Sequence, residues 1–204
     1  MQLVTGPDLA ELAAAWIADR ARRGGPFRIA LSGGSTPKKV FERLAGEDLD
    51  WSQWHVWWGD ERQVPSDHPD SNERMAREAL LSKVGVPEEQ IHPLRALDTP
   101  LPDRFDVVLL GIGSDGHTAS LFPGDPGLEA TAPIVAVSRP DHPRLSLTYP
   151  VINGARTAAF IVGGADKASI LARVLAGDPE LPASHVSADE VVVLADDAAA
   201  AGLG

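Results

Sequence analysis

Residues 106–117 read DVVLLGIGSDGH, an apolar run that passes directly into a glycine-rich polar loop ending in a histidine. Short apolar runs bounded by polar segments are typical of strands buried on both faces of a parallel sheet. A loop that follows such a strand lies at the carboxyl edge of the sheet, where α/β proteins bind ligands. The stretch therefore predicts an α/β fold with a candidate site in residues 111–117.

Three more apolar runs show the same arrangement. FRIAL at Phe27–Leu31, WHVWW at Trp54–Trp58 and AAFIV at 158–162 are followed by SGGSTP, GDERQVP and GGADK. Because the carboxyl ends of parallel strands meet at one edge of a sheet, we expect all four loops to border one crevice. A fifth run, VVVL at 191–194, ends the series.

The segments between these runs have helical patterns. We expect helices at 8–23 with Asp8 as its cap, at 38–45 with Pro37 near its first position, at 71–81 and at 165–175. Strands at Ile134–Val137 and 145–149 would add a small antiparallel element. The sequence predicts one α/β domain over residues 1–204, doubly wound, with a mainly parallel sheet and helices on both faces.

The composition excludes several classes of function. The 204 residues carry a net charge of −11, which argues against nucleic acid as a partner because binding its backbone needs a basic face. The chain has no cysteine, so disulfides, thiolate nucleophiles and cysteine zinc sites are excluded. No apolar stretch approaches the ~20 residues of a membrane span, and no secretory signal pattern opens the sequence. We therefore expect a cytoplasmic protein without a membrane partner.

The loop at 111–117 carries the strongest catalytic signal. Histidine is the natural acid–base group near neutral pH, and His117 follows a buried strand with Asp115 two residues before it. A neighbouring carboxylate can fix the imidazole tautomer, and backbone N–H groups of glycines such as Gly113 can stabilise developing negative charge. A purely structural histidine is the alternative. No two histidines have metal-ligand spacing with a nearby acid, so we expect neither a metal site nor a cofactor.

Residues 32–37 (SGGSTP) suit an anion. Gly33 and Gly34 allow backbone N–H groups to approach a phosphate, and Ser35 and Thr36 add hydroxyl donors at the start of a helix. A plain glycine turn with hydroxyl caps is the alternative. The spacing matches neither a Walker loop nor a dinucleotide fingerprint.

Charged residues follow the aromatic strand at 54–58. Asp60 or Glu61 is placed to orient a ligand hydroxyl or a catalytic base, and Arg62 to bind phosphate through two nitrogens. A surface salt-bridge cluster is the alternative. Asn72 either caps the next helix or reaches the site.

Two further basic residues are informative because an acidic chain must concentrate its few cations around an anionic ligand. Arg144 lies in PRLSLTYP and Lys167 in GGADKA, each beside a predicted strand. Each is a candidate anion ligand, with a solvated surface position as the alternative.

The chain resembles the 6-phosphogluconolactonase family, within the wider glucosamine-6-phosphate isomerase/lactonase superfamily. Five ordered motifs carry the resemblance: LSGGSTP, WWGDERQVPSDHPDSN, LLGIGSDGHTASLFPG, RLSLTYPVIN and VGGADKA. The resemblance implies a modified Rossmann-like sheet and metal-free hydrolysis of 6-phospho-D-glucono-1,5-lactone to 6-phospho-D-gluconate, in the oxidative pentose phosphate pathway. The expected partner is this small phosphorylated sugar lactone, and the expected assembly is a monomer or a small homo-oligomer.

The resemblance also implies residue roles. His117 would activate water and then protonate the leaving ring oxygen, while Asp60 and Asp115 would orient the ring or the histidine. Arg62 matches the substrate-side arginine of the family. The phosphate would be held by Ser35, Thr36 and the Gly33-Gly34 backbone, helped by Arg144 and Lys167.

Two other functions remain open. A glucosamine-6-phosphate deaminase shares the glycine-rich loop and the DGH motif, but its relatives read approximately IAFNEP after that motif, whereas residues 118–123 here read TASLFP. The glutamate is absent, which favours the lactonase. A sugar-phosphate-binding protein without activity is the second alternative, and it would be expected to lack His117.

Overall fold

The computed structural model describes residues 1–203. Within these residues the strands are β1 (Gln2–Gly6), β2 (Phe27–Leu31), β3 (Trp54–Trp58), β4 (Asp60–Arg62), β5 (Val107–Leu110), β6 (Ile134–Val137), β7 (Arg144–Leu147), β8 (Thr157–Val162) and β9 (Glu190–Asp196). A six-stranded sheet has the order β1-β9-β8-β5-β2-β3, and its neighbouring strands are all parallel. A separate antiparallel sheet has the order β4-β7-β6.

The helices alternate with these strands. They are α1 (Leu9–Ala21), α2 (Ser35–Leu44), α3 (Asn72–Ala76), α4 (Tyr149–Asn153) and α5 (Ala168–Leu175). The Asp8 side chain accepts hydrogen bonds from the backbone N–H groups of Ala10 at 3.0 Å and Glu11 at 3.1 Å, so its predicted capping role is confirmed. α3 continues into a π-helical turn over Arg77–Leu81, which completes the helix expected at 71–81.

The connections explain the layers of the fold. The crossovers from β2 through α2 to β3 and from β8 through α5 to β9 run in opposite directions along the sheet. Because such crossovers are right-handed, α2 and α5 cover opposite faces. The predicted fold class is confirmed, and the direction of winding reverses between β2 and β5, which places the ligand crevice at the ends of these two strands.

Nearly all of the buried apolar residues form one cluster. It extends along the chain from Leu9 to Ala199 and includes the fully buried Phe41, Trp58 and Phe160. A core this large is built from both faces of the six-stranded sheet, which accounts for the near-continuous apolar sequence of its inner strands. No helix in residues 1–203 has the length and apolar character that a bilayer crossing needs.

Several predicted boundaries were wrong. The strand expected at 145–149 ends at Leu147, because Tyr149 begins α4 and Pro150 occupies its first turn. The helix expected at 38–45 begins at Ser35, so Pro37 lies inside its first turn. The strands β1 and β4 were not expected, whereas the small antiparallel element was confirmed.

Candidate active site

A pocket of about 190 Å³ lies at the point where the winding reverses. This volume is below the ~300–1,000 Å³ of sites for drug-sized ligands and suits a smaller molecule. The segments after β2 and β5 form its floor, and β4 and β7 contribute side chains. It is lined by Ser32, Gly33, Gly34, Asp60, Arg62, Asn72, Gly111, Ile112, Gly113, His117, Ala119 and Arg144.

His117 and Asp115 form a hydrogen-bonded pair at this pocket. Nδ1 of His117 lies 2.6 Å from Oδ1 of Asp115, and the same oxygen accepts from the His117 backbone N–H at 3.1 Å. Because an ionised carboxylate only accepts hydrogen bonds, the neutral imidazole carries its proton on Nδ1 and leaves Nε2 free as a base. Burial raises the pKa of Asp115, but the hydrogen bonds from His117 outweigh it, so the pKa lies below its usual value.

Glycine is required at two positions of this loop. A Cβ on Gly113 would lie 2.0 Å from Nδ1 of His117, so any side chain there would displace the imidazole. The Gly113 N–H instead donates to the carbonyl of His117 at 2.9 Å, which closes the loop. Gly116 has a φ of +82°, and a Cβ there would lie 2.6 Å from Leu181.

Asp60 is a buried carboxylate held from two sides. Its Oδ2 accepts a hydrogen bond from Oγ of the buried Ser120 at 2.6 Å. Its backbone carbonyl accepts from Nδ2 of Asn72 at 2.9 Å. Since both partners are themselves buried, Ser120 fixes the carboxylate and Asn72 fixes the backbone of Asp60 at the pocket wall.

Arg62 and Arg144 bring positive charge to the same pocket. Arg62 donates through Nη1 to the Asp70 carbonyl at 2.8 Å and to Oδ1 of Asn72 at 3.1 Å. Arg144 pairs with Oδ2 of the exposed Asp141 at 2.5 Å. The Nε atoms of both arginines are buried without a hydrogen-bond partner. Two guanidinium groups at one pocket make it a candidate site for an anion.

Glu61, in contrast to Asp60, contacts the start of α3 and does not line the pocket. Its carboxylate accepts hydrogen bonds from the backbone N–H groups of Asn72 at 2.8 Å and Glu73 at 2.7 Å, at the start of α3. Burial raises the pKa of Glu61 against these hydrogen bonds, which lower it. Of the two acids that the sequence left open, Asp60 therefore lines the pocket, and Glu61 binds the first backbone N–H groups of α3.

The predicted phosphate ligands divide into two groups. Gly33, Gly34, Arg62, Gly113 and Arg144 line the pocket. Ser35 begins α2 and lines an adjacent groove, Thr36 follows it in the first helical turn, and Nζ of Lys167 donates to the carbonyl of Ile112 at 3.0 Å. For all eight residues, a role in binding the substrate or its phosphate remains a prediction.

Three polar residues at the site were missed or left open by the sequence. Asn72 contacts Asp60 and Arg62, while the helix is capped by Ser71, whose Oγ accepts from the Arg74 N–H. A Cβ on Gly33 would lie 1.9 Å from Oδ1 of Asn72, so this glycine makes room for the amide. Ser120 and Ser32 are buried, and Oγ of Ser32 has no hydrogen-bond partner. Ser32 directly precedes Gly33 and Gly34 in the sequence, and this adjacency was enough to predict its place at the pocket.

A second polar group lies beside the pocket. His68, Asp70 and His142 bring three potential metal-ligand atoms within 4.8 Å of one another. The spacing of the histidines in the sequence gave no sign of this group, because its side chains come from segments that are distant in the sequence.

Comparison with known proteins identifies the family of this chain. A family model described as glucosamine-6-phosphate isomerases/6-phosphogluconolactonase matches residues 5–194. The chain belongs to this family. A 6-phosphogluconolactonase of Nostoc sp. is 43% identical to it over 208 residues, which cover 89% of this chain and 87% of the relative.

Two solved structures illustrate the range of the family's fold. The 6-phosphogluconolactonase from Trypanosoma brucei superimposes with a TM-score of 0.84 at 30% identity, covering 100% of this chain and 98% of its own. A monomeric glucosamine-6-phosphate deaminase superimposes with a TM-score of 0.82 at 20% identity, covering 98% and 99%. The second similarity concerns the fold alone, so the choice between the two chemistries depends on the site residues.

Proposed function

We propose that this family member hydrolyses 6-phospho-D-glucono-1,5-lactone to 6-phospho-D-gluconate, with His117 as the general base. One observation carries the proposal. A carboxylate-oriented histidine and two arginines line the same small pocket. Such a pocket has a base for the reacting end of a phosphorylated sugar and positive charge for its phosphate.

The proposed reaction begins with attack by water on the lactone carbonyl. Nε2 of His117 takes a proton from the water as its oxygen bonds to C1, and negative charge develops on the carbonyl oxygen. The bond between C1 and the ring oxygen then breaks, and His117 returns the proton to that oxygen. Asp115 keeps Nδ1 protonated and stabilises the imidazolium that forms between these steps.

The remaining site residues orient the substrate in this proposal. Asp60, fixed by Ser120 and Asn72, accepts a hydrogen bond from a sugar hydroxyl. Arg62 and Arg144 bind the phosphate, with help from the backbone of Gly33 and Gly34. A lactone ester is already reactive, so a positioned base and N–H donors are sufficient, and the proposed mechanism uses no metal ion.

The segment after the histidine favours a lactonase over a deaminase. Residues 118–123 contain no carboxylate, and the ring of Phe122 packs with its centroid 4.3 Å from that of His117. An apolar ring therefore occupies the position beside the base. Deamination of an amino sugar requires additional proton-transfer carboxylates, and this segment supplies none.

The experiment uses two substrates with the purified chain. The lactone is generated in place, and acid release is followed above the spontaneous rate. In parallel, ammonia release from glucosamine 6-phosphate is measured. We expect acceleration of lactone hydrolysis and no ammonia. Ammonia release without lactone acceleration would replace the proposal with the deaminase, and activity on neither substrate would favour a binding protein.

We also propose the domain organisation, the assembly state and the location of the protein. The single hydrophobic cluster supports the proposal that residues 1–204 work as one domain, as a monomer or a small homo-oligomer. A cytoplasmic location is part of the same proposal.

A further inference from the structure

Beyond the lactonase site, we propose that His68, Asp70 and His142 form a binding site for a divalent transition-metal ion of the zinc class. The three side chains come from two loops that are far apart in the sequence. One loop connects β4 to α3, and the other leads into β7. Neither histidine belongs to the proposed catalytic machinery.

The distances in this group suit a metal ion. Nε2 of His142 lies 2.9 Å from Oδ2 of Asp70, and Nδ1 of His68 lies 3.8 Å from the same oxygen. Tetrahedral zinc binds nitrogen and oxygen at about 2.0–2.2 Å, which places neighbouring ligand atoms about 3.3 Å apart. The two observed distances lie on either side of this value, and all three ligand atoms lie within 4.8 Å of one another.

The protonation pattern also fits. Nδ1 of His68 accepts a hydrogen bond from the Asp70 backbone N–H at 3.1 Å, so this nitrogen is unprotonated, as a metal ligand must be. Its single lone pair is engaged by that N–H, so binding of a metal replaces this hydrogen bond. The His142 imidazole faces the carboxylate as a donor. Binding of the metal replaces the Nε2 proton, which moves to Nδ1 or to solvent.

The backbone holds the two loops together before any metal binds. The Gln63 N–H donates to the carbonyl of Pro143 at 2.8 Å, next to His142. On the other side, Nη1 of Arg62 donates to the Asp70 carbonyl at 2.8 Å. A pre-arranged site loses less conformational entropy on binding.

The ligand set selects the class of metal. Two imidazoles and one carboxylate suit Zn²⁺, Co²⁺ or Ni²⁺, whereas Mg²⁺ and Ca²⁺ prefer oxygen ligands. All three side chains are partly exposed, so the ion can enter from solvent and retain a water as its fourth ligand.

Isothermal titration tests the site. Tag-free protein treated with chelator is titrated with Zn²⁺ and, separately, with Mg²⁺. We expect one zinc ion per chain, no binding of Mg²⁺ at equal concentrations, and an increase in Tm with Zn²⁺. His68→Ala and His142→Ala should each weaken zinc binding by about tenfold or more, because each removes a direct ligand.

Two control variants locate the ion. His55→Ala removes one member of the other histidine pair, His55 and His92, whose rings lie 6.2 Å apart outside any three-ligand group in the described chain. His117→Ala tests whether zinc binds instead at the pair of His117 and Asp115. Both should retain zinc affinity. The proposal is overturned if zinc does not bind, if His68→Ala and His142→Ala bind it normally, or if His117→Ala abolishes binding.

Discussion

Arg62 and Arg144 lie directly opposite each other on the antiparallel strands β4 and β7, and the Nε of each is buried without a partner. Like charges that face each other across a strand pair destabilise it. An anion bound between the two guanidinium groups removes this repulsion. The small sheet therefore places two cations at the mouth of the pocket, where an acidic chain otherwise repels an anionic ligand.

Inorganic phosphate should bind at this arginine pair. We expect it to raise the Tm of the wild type and to inhibit lactone hydrolysis competitively.

Arg144→Gln should raise the KM for the lactone by roughly 10–100-fold, because a charge-assisted hydrogen bond contributes about 1.5–3 kcal/mol. Steady-state kinetics and thermal unfolding measure these effects. Arg156→Gln is the control, since the exposed Arg156 pairs with Asp106 outside this pocket. An unchanged KM in Arg144→Gln would remove Arg144 from the phosphate site.

Gly113→Ala should inactivate the protein while leaving it folded. The new Cβ would lie 2.0 Å from Nδ1 of His117 and would move the imidazole. A displacement of about 1 Å can cost roughly 100-fold in rate. Gly111→Ala is the matched variant, because a Cβ at Gly111 has no atom within 4 Å, and its loss of kcat should be much smaller. Equal losses in the two variants would contradict the close packing of Gly113 against the histidine.

Ser120→Ala should destabilise the fold through Asp60. The change removes a buried hydrogen bond of 2.6 Å and leaves a carboxylate oxygen without this donor, at a cost of about 1–3 kcal/mol in the free energy of unfolding. Urea unfolding measures it. Ser52→Ala is the control, because Oγ of Ser52 makes a similar contact with Asp50 at 2.5 Å on the exposed surface. A Ser120→Ala variant as stable as Ser52→Ala would show that the Asp60 contact does not contribute.

Asp115→Asn should have an effect on stability that depends on pH. The pKa of Asp115 is lower in the folded protein than its ordinary value, so the folded state binds this proton more weakly than the unfolded state. The ionised carboxylate therefore stabilises the wild type at neutral pH, and this contribution is lost as the pH falls below about 4. Urea unfolding of both proteins at pH 7 and pH 3.5 should give a smaller difference at the lower pH. A constant difference would contradict the lowered pKa.

The fold was predictable where the sequence is apolar. β2, β3, β5 and β8 are buried runs whose composition indicates strands directly. β1 was missed because it is an edge strand with exposed positions at Gln2 and Thr5. β4 was missed because its sequence, DER, is entirely charged, and it becomes a strand only through pairing with β7.

The site was predictable where its partners are close in sequence. Asp115 and His117 are two residues apart, so their contact could be expected from the sequence alone. The contacts of Asp60 with Ser120 and of Arg62 with Arg144 join residues from separate motifs. Those pairs depend on the register of the small sheet and on the approach of two loops, and no local pattern specifies either.

The rate of lactone hydrolysis by His117→Ala tests the central claim most directly. The lactone is generated in place, and acid release is measured above the spontaneous rate for the wild type and the variant, with circular dichroism as a check on folding. We expect the enzymatic rate to fall by roughly 10²–10⁴-fold, because the general base is removed. A folded variant that hydrolyses the lactone at the wild-type rate would contradict the assignment of His117 as the base.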